Sequence, residues 1–243
     1  MASLRREDAM ALTLYERVGH EGRRPSPFSW RVRYALRHKG VAADYVAVRF
    51  ADVEIIRRLS GQDMVPVLVD GDRAIHDSWR IALHLEDRFA DRPTLFGGDR
   101  ARGMARFISN WSDTVLAPLL RRVIYADFIW CLHADDRAYF RQSRERDLGM
   151  TFEEACADPA AGLIRFHQAM VPLEHTLEEQ LFIGGAGPTY ADYAVFSVLQ
   201  WARLGSPRDV IEHGSAVHGW RLRMIALFDG LADAFPAYPG QPK

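Results

Sequence analysis

The chain of 243 residues is 48% hydrophobic and 26% charged, within the globular range and long enough for two modest domains. Its 31 Lys+Arg against 32 Asp+Glu leave a net charge of -1, which gives no electrostatic footprint for a nucleic-acid backbone or an anionic membrane as partner. The longest apolar stretch, around residues 193–202, is about half of the roughly 20 residues that a membrane span requires.

Residues 1–11 carry Arg5 and Arg6 with no apolar run behind them, and read as a disordered tail rather than a signal peptide or anchor. Residues 13–15 predict a short buried strand. Residues 27–38 carry the helical period through Phe28, Val32, Ala35 and Leu36 until Gly40 stops it. A second strand follows at 45–50 and a weaker helix at 53–59. Residues 66–69 and 73–75 then form a hairpin around Asp70-Gly71-Asp72. Asp77 or Ser78 caps a helix running to about residue 89. This order of strands and helices predicts a thioredoxin-like α/β domain over residues 12–90. A linker over 91–98 leads to an all-helical domain over 99–243, with long helices near 101–125, 135–148, 162–179, 189–204 and 217–231. Two cysteines, Cys131 and Cys156, are too few for a disulfide framework and fit a reducing, cytoplasmic compartment. The chain has no CxxC and no paired Cys/His spacing, so no metal site is expected.

Three short segments carry candidate chemistry. Ser26-Pro27 is an ordinary helix start, with serine as N-cap and proline in the first turn. It also stands at the carboxyl end of the first strand, where open sheets bind ligands. A hydroxyl there, backed by free N–H groups and the helix dipole, suits an anion such as a thiolate. Val65-Pro66 opens the third strand, where proline is tolerated. A cis bond there leaves the Val65 N–H and C=O to pair with an extended peptide. Asp77-Ser78 puts a carboxylate and a hydroxyl at a helix start, suited to the ammonium and carboxylate of one ligand, or simply to capping.

Taken together in this order, the run Ser26-Pro27-Phe28-Ser29-Trp30-Arg31-Val32-Arg33-Tyr34-Ala35-Leu36, Val65-Pro66 and Asp77-Ser78 resemble the cytosolic glutathione transferases of the serine classes, across nearly the whole chain. The resemblance implies glutathione as co-substrate and Ser26 as the catalytic serine. It implies further that Val65 and Pro66 pair with the cysteinyl backbone, that Asp77 and Ser78 hold the γ-glutamyl end, and that Thr189-Tyr190-Ala191-Asp192 is a buried capping box. A homodimer is implied as well. The glycyl carboxylate has Arg57, Arg58 and Gln62 as candidates. Residues 26–40, 65–69, 77–79, Asp91-Arg92-Pro93 and Ala191-Asp192-Tyr193 are similar to the bacterial β-etherases and their fungal relatives, as is the loop 19–24 before the serine. The tail after Trp220 is shorter than theirs and bears on the roof of the pocket.

The expected reaction is attack of a serine-stabilised glutathione thiolate on an electrophilic carbon of an aromatic substrate, with β-aryl ether cleavage as the etherase-like form. The second-substrate pocket is expected between the domains, with Phe28, Trp111, Tyr125, Phe128 and Trp130 as lining candidates, although aromatics at helical spacing equally serve a core. Cys131 reads as a small buried hydrophobe. Two alternatives remain: a binding protein of the same fold that holds glutathione or aromatic compounds without turnover, and a glutathione-dependent thiol reductase or lyase. The second normally places cysteine where this chain has Ser26.

Overall fold

Apolar Leu12 and Leu14 alternate with Thr13 and Tyr15, the period-two pattern of a strand, and β1 (Leu12–Arg17) is an inner strand of a four-stranded sheet. The computed structural model describes residues 12–239 and 241, so the tail expected over residues 1–11 lies outside the described residues. The strand order is β2-β1-β3-β4. Strand β2 (Ala43–Val48) runs parallel to β1, a pairing that needs a crossover, and α1 (Pro27–His38) supplies it. Strand β3 (Val67–Asp70) is antiparallel to β1, with Tyr15 opposite Val67 and Thr13 opposite Val69. Strand β4 (Arg73–His76) pairs antiparallel with β3, with His76 opposite Val67. Helix α2 (Val53–Ser60) precedes β3 and α3 (Ser78–Arg88) follows β4.

Each face of the sheet has its own apolar cover. Leu12, Leu14 and Leu68 belong to the main core with Val32 and Leu36 of α1 and Ile81 and Leu85 of α3. Val48, Ile56, Val65 and Val67 form a smaller core with Tyr15 and Val46. This is the thioredoxin-like α/β arrangement expected from the order of elements, and the helical part follows it.

That part comprises α4 (Asp99–Trp111), a π-helical turn (Ser112–Leu116), α5 (Ala117–Phe128), α6 (Ala134–Leu148), α7 (Phe152–Ala155), α8 (Pro159–Glu179), α9 (Tyr190–Gly205) and α10 (Ala216–Gly230). The single helix expected over 101–125 is therefore two helices, joined by the π-helical turn. Short α7 has no counterpart among the expected helices. It starts at a capping box formed by Thr151 and Glu154, in which the Glu154 N–H donates to the Thr151 hydroxyl at 3.1 Å. Helix α10 loses regular geometry at Leu227–Asp229, where Phe228 and Asp229 take φ of 55° and 60°. No helix among the described residues is long and apolar enough to cross a membrane.

Helix α9 is apolar around most of its circumference and is buried along its whole length, the axle on which the two parts meet. Its N-terminus is organised by Asp192, a fully buried carboxylate. It accepts from the N–H groups of Ile183 (2.7 Å), Gly184 (3.2 Å) and Thr189 (2.9 Å) and from Trp220 Nε1 (3.0 Å). Burial pushes this carboxyl up, and the Thr189, Trp220, Ile183 and Gly184 donors pull against it. At the other end, Gly205 is required by close approach, since a Cβ there would run into the ring of Phe128. Asp192→Ala leaves four N–H donors without their acceptor in the interior. It is expected to cost about 3 kcal/mol or more in chemical denaturation, with an unchanged slope. A loss within 0.5 kcal/mol would contradict this role for the carboxylate.

Candidate functional site

Between the sheet and the helices lies a cavity of about 540 Å³. One wall comes from the loop and first turn of α1 through Ser26 and Phe28, with Phe50, Met64 and Val65 beside them. The opposite wall is a stripe on the π-helical turn and α5, namely Asp113, Ala117, Arg121 and Tyr125, residues four apart that share one face. Helices α6 and α9 close it with Tyr139, Phe140, Val198 and Trp201 among others. The apolar base is an aromatic cluster. Tyr125 and Phe128 both meet Trp201 at 5.5 Å between ring centres, near perpendicular, and Phe50 meets Phe140 edge-on at 5.2 Å.

Ser26 caps α1, accepting from the Ser29 N–H at 3.3 Å, with Pro27 in the first turn. A hydroxyl has one proton and two lone pairs, so the cap uses an acceptor site and leaves the proton to donate. Ser26 is half-buried and lines the cavity, at the positive end of a twelve-residue helix.

Val65-Pro66 is a cis peptide. Val65 is buried, lines the same cavity, and lies just ahead of the β3 ladder, which begins at Val67. Continued by one and two residues, the β3–β4 register sets Asp77 beside Pro66 and Ser78 beside Val65. Asp77 takes φ 72°, ψ 122°, a conformation that L-residues rarely adopt and that costs about 1–3 kcal/mol. Its Oδ1 accepts from both the Trp79 N–H (3.1 Å) and the Arg80 N–H (3.0 Å). The cap thus uses one oxygen of an exposed carboxylate and leaves Oδ2 for a cation. Ser78 is buried in the first turn of α3.

Gln62 is occupied by its own loop. Its amide donates to Ser60 Oγ (2.7 Å) and the Met64 carbonyl (2.9 Å) and accepts from the Met64 N–H (2.6 Å), a clasp on the turn that delivers Val65. Arg57 is tied to Asp63 at 2.9 Å and to Glu54 at 2.8 Å.

Of the five aromatic candidates, Phe28, Tyr125 and Phe128 line the cavity, and Trp111 and Trp130 do not. Trp111 and Tyr125 are fourteen residues apart and would share a face of an unbroken helix. The π-helical turn between them inserts about one residue's rotation, roughly 100°, and Trp111 packs instead against the main core. Trp130 lies two residues past the end of α5, in a 3-10 turn (Ile129–Cys131) where the α-helical period no longer applies. It is 60% exposed, with the Arg137 guanidinium 4.6 Å over its ring.

The cavity also holds charges that pattern reading missed. Arg31, 1% exposed, donates from Nη2 to Asp113 Oδ1 at 2.6 Å and from Nε to Ser197 Oγ at 3.0 Å, and its guanidinium lies 4.8 Å over the Phe28 ring. Arg17, at the carboxyl end of β1, is buried and donates to the carbonyls of Arg49 (2.6 Å) and Asp63 (3.0 Å). Burial pulls its pKa down. Burial likewise pushes the Tyr125 phenol up. No group of three or more His, Cys, Asp or Glu side chains that could hold a metal ion occurs among the described residues.

Two sequence-family models match the chain: the glutathione S-transferase N-terminal domain over residues 22–93 and the glutathione S-transferase C-terminal domain over residues 104–224. A glutathione S-transferase of Triticum aestivum is 34% identical over 94 residues, which is 39% of this chain and 44% of that protein. The matched part of the chain therefore spans less than half the length of this curated relative. Among solved structures, glutathione transferase GSTFuA3 of Phanerochaete chrysosporium has a TM-score of 0.72 at 22% identity, covering 93% of this chain and 94% of that one. A glutathione S-transferase of Ceriporiopsis subvermispora, solved in complex with glutathione, has a TM-score of 0.73 at 18% identity, covering 94% and 99%. At these identities the structural likeness is one of fold.

Neither cysteine belongs to the cavity wall. Cys131 is 1% exposed, its Sγ donating to the Leu204 carbonyl at 3.5 Å, and burial pushes its thiol up to about 12. Burial also raises Cys156, which is half-buried. At pH 8 the buried Cys131 thiol therefore stays protonated. Iodoacetamide at that pH is expected to leave Cys131 unmodified in the folded protein, to label Cys156 slowly, and to label both once the chain is denatured, as read by peptide mass spectrometry. Rapid native labelling of Cys131 would contradict the assignment of that thiol to the core.

Proposed function

Because the chain belongs to the glutathione S-transferase family, we propose that it is a glutathione transferase of the serine type, in which Ser26 stabilises the glutathione sulfur as a thiolate. The observation that carries this reading is the Ser26 hydroxyl on the cavity wall, its lone pair engaged by the Ser29 N–H and its proton free to donate. A shift of about two units below the ordinary thiol value near 8.5 needs roughly 2.7 kcal/mol. One hydrogen bond to a charged acceptor supplies about 1.5–3 kcal/mol, and the α1 N-terminus adds to it.

The remaining residues fit the rest of glutathione. Val65 and cis-Pro66 offer a backbone edge outside the ladder for an extended peptide. Asp77, with one carboxylate oxygen left over by the cap, suits the γ-glutamyl ammonium, and Ser78 the adjoining carboxylate. Gln62 acts by holding the Met64 turn that presents Val65.

Glutathione supplies the nucleophilic sulfur. The second substrate is an aromatic electrophile that lies in the cavity against Phe28, Tyr125, Phe128 and Trp201. In the etherase-like form of the reaction, a carbon–sulfur bond forms at the carbon beside a ketone as the carbon–oxygen bond to an aryloxy group breaks. The phenolate then leaves and takes a proton from water. A homodimer in the cytoplasm completes the proposal, carried over from the family resemblance.

Turnover of a β-aryl ether ketone and a panel of simple electrophiles, with and without glutathione, tests this reading. Glutathione-dependent phenol release is expected. Ser26→Ala should lower kcat/KM about 10–100-fold and cost about 1 kcal/mol of stability through the lost cap, whereas Ser26→Thr keeps both functions. Tight glutathione binding without turnover of any electrophile would instead support a binding protein of the same fold. Undiminished activity in Ser26→Ala would remove Ser26 from the mechanism.

A further inference from the structure

The cavity is not electrically balanced. Its lining contains Arg17, Arg31, Arg121 and Arg144 against Asp63, Asp113 and Asp147. Arg31 pairs with Asp113 at 2.6 Å and Arg144 with Asp147 at 3.0 Å, and Asp63 is taken by Arg57, outside the cavity, at 2.9 Å. Two guanidinium groups are left over. Arg17 makes its two hydrogen bonds to carbonyl oxygens. Arg121, half-buried, lines the cavity and makes no ion pair among the described residues.

A guanidinium without an ion pair beside an apolar wall favours an anionic ligand. Arg121 stands on α5 one turn before Tyr125, so its planar donors border the aromatic base of the cavity, on the wall facing Ser26. Oppositely charged ligand is what this arrangement lacks. A guanidinium also matches a carboxylate with two parallel donors.

We propose that the second substrate of this protein is an aromatic compound bearing a carboxylate, and that Arg121 is the residue that recognises that carboxylate. This rests on the transferase reading above and narrows it. The aromatic ring occupies the space bounded by Tyr125, Phe128 and Trp201, the electrophilic carbon points to Ser26, and the acid group points to Arg121. A neutral aromatic of the same shape would leave the Arg121 guanidinium without an anion and bind less well.

Calorimetric titration of the full chain with three ligands tests the proposal: glutathione, S-(4-carboxybenzyl)glutathione, and the uncharged S-(4-carbamoylbenzyl)glutathione. The wild type is expected to bind the carboxylate conjugate about tenfold or more tightly than the carbamoyl one. Arg121→Gln should abolish that preference and leave the glutathione Kd unchanged, and Arg121→Lys should restore part of it. Circular dichroism of each variant reports whether it is folded. Equal affinity for the two conjugates, or a preference that survives Arg121→Gln, would overturn the inference while glutathione binding still stands. A wild type that binds no glutathione would overturn the transferase reading, and this inference with it.

Discussion

The guanidinium of Arg31 joins the two halves of the molecule. It sits five residues into α1 from Ser26, 1% exposed, and donates to Asp113 and Ser112 on the π-helical turn, Ser109 on α4 and Ser197 on α9. A charge this deep is tolerated because a carboxylate and three hydroxyls take up its donors, and leaving any of them out would expose an unsatisfied group to the interior. Its consequence is geometric. The helix that carries Ser26 cannot shift relative to the wall that carries Arg121 and Tyr125 without breaking this set, so both walls of the cavity move as one.

Around that joint, local sequence signals and tertiary ones contribute differently. The Ser26 cap, the proline in the first turn and Gly40 at the end are all local, and α1 has the bounds 27–38 that those residues imply. The turn at Gly71, with φ 59°, is local too, and the β3–β4 hairpin follows from it. The π-helical turn at Ser112–Leu116 has a local and a tertiary cause: Pro118 just after it has no N–H for the Thr114 carbonyl, and Asp113 and Ser112 in it accept from Arg31. Through that one turn the face of Trp111 was lost to pattern reading. The same holds for Arg17 and Arg121. Arginine on a strand end or a helix reads as solvated surface, and only the cavity enclosed between the sheet and the helices brings these two to one site.

The candidate glutathione site contains a feature that costs stability. Asp77 adopts a positive φ between segments that the rest of the fold holds firmly. Val65 rests in the small core with Ile56 and Val67, and α3 is anchored through Ile81 and Leu85 in the large one. Strained backbone persists where surrounding packing over-determines it, and it clusters at ligand sites for that reason. Buried pairs elsewhere have a structural role: Glu16 joins Arg24 and Arg33 beneath the loop that leads to Ser26.

The most direct test follows the glutathione sulfur itself, by ultraviolet difference absorbance of the thiolate as pH is varied, with glutathione saturating the wild-type chain. A bound thiol that titrates about one to two units below the ordinary value near 8.5, and that returns toward it in Ser26→Ala, is the result expected of a hydroxyl donor at the α1 N-terminus. A wild-type complex that titrates like free glutathione would contradict the role given to Ser26, and with it the mechanism built on that residue.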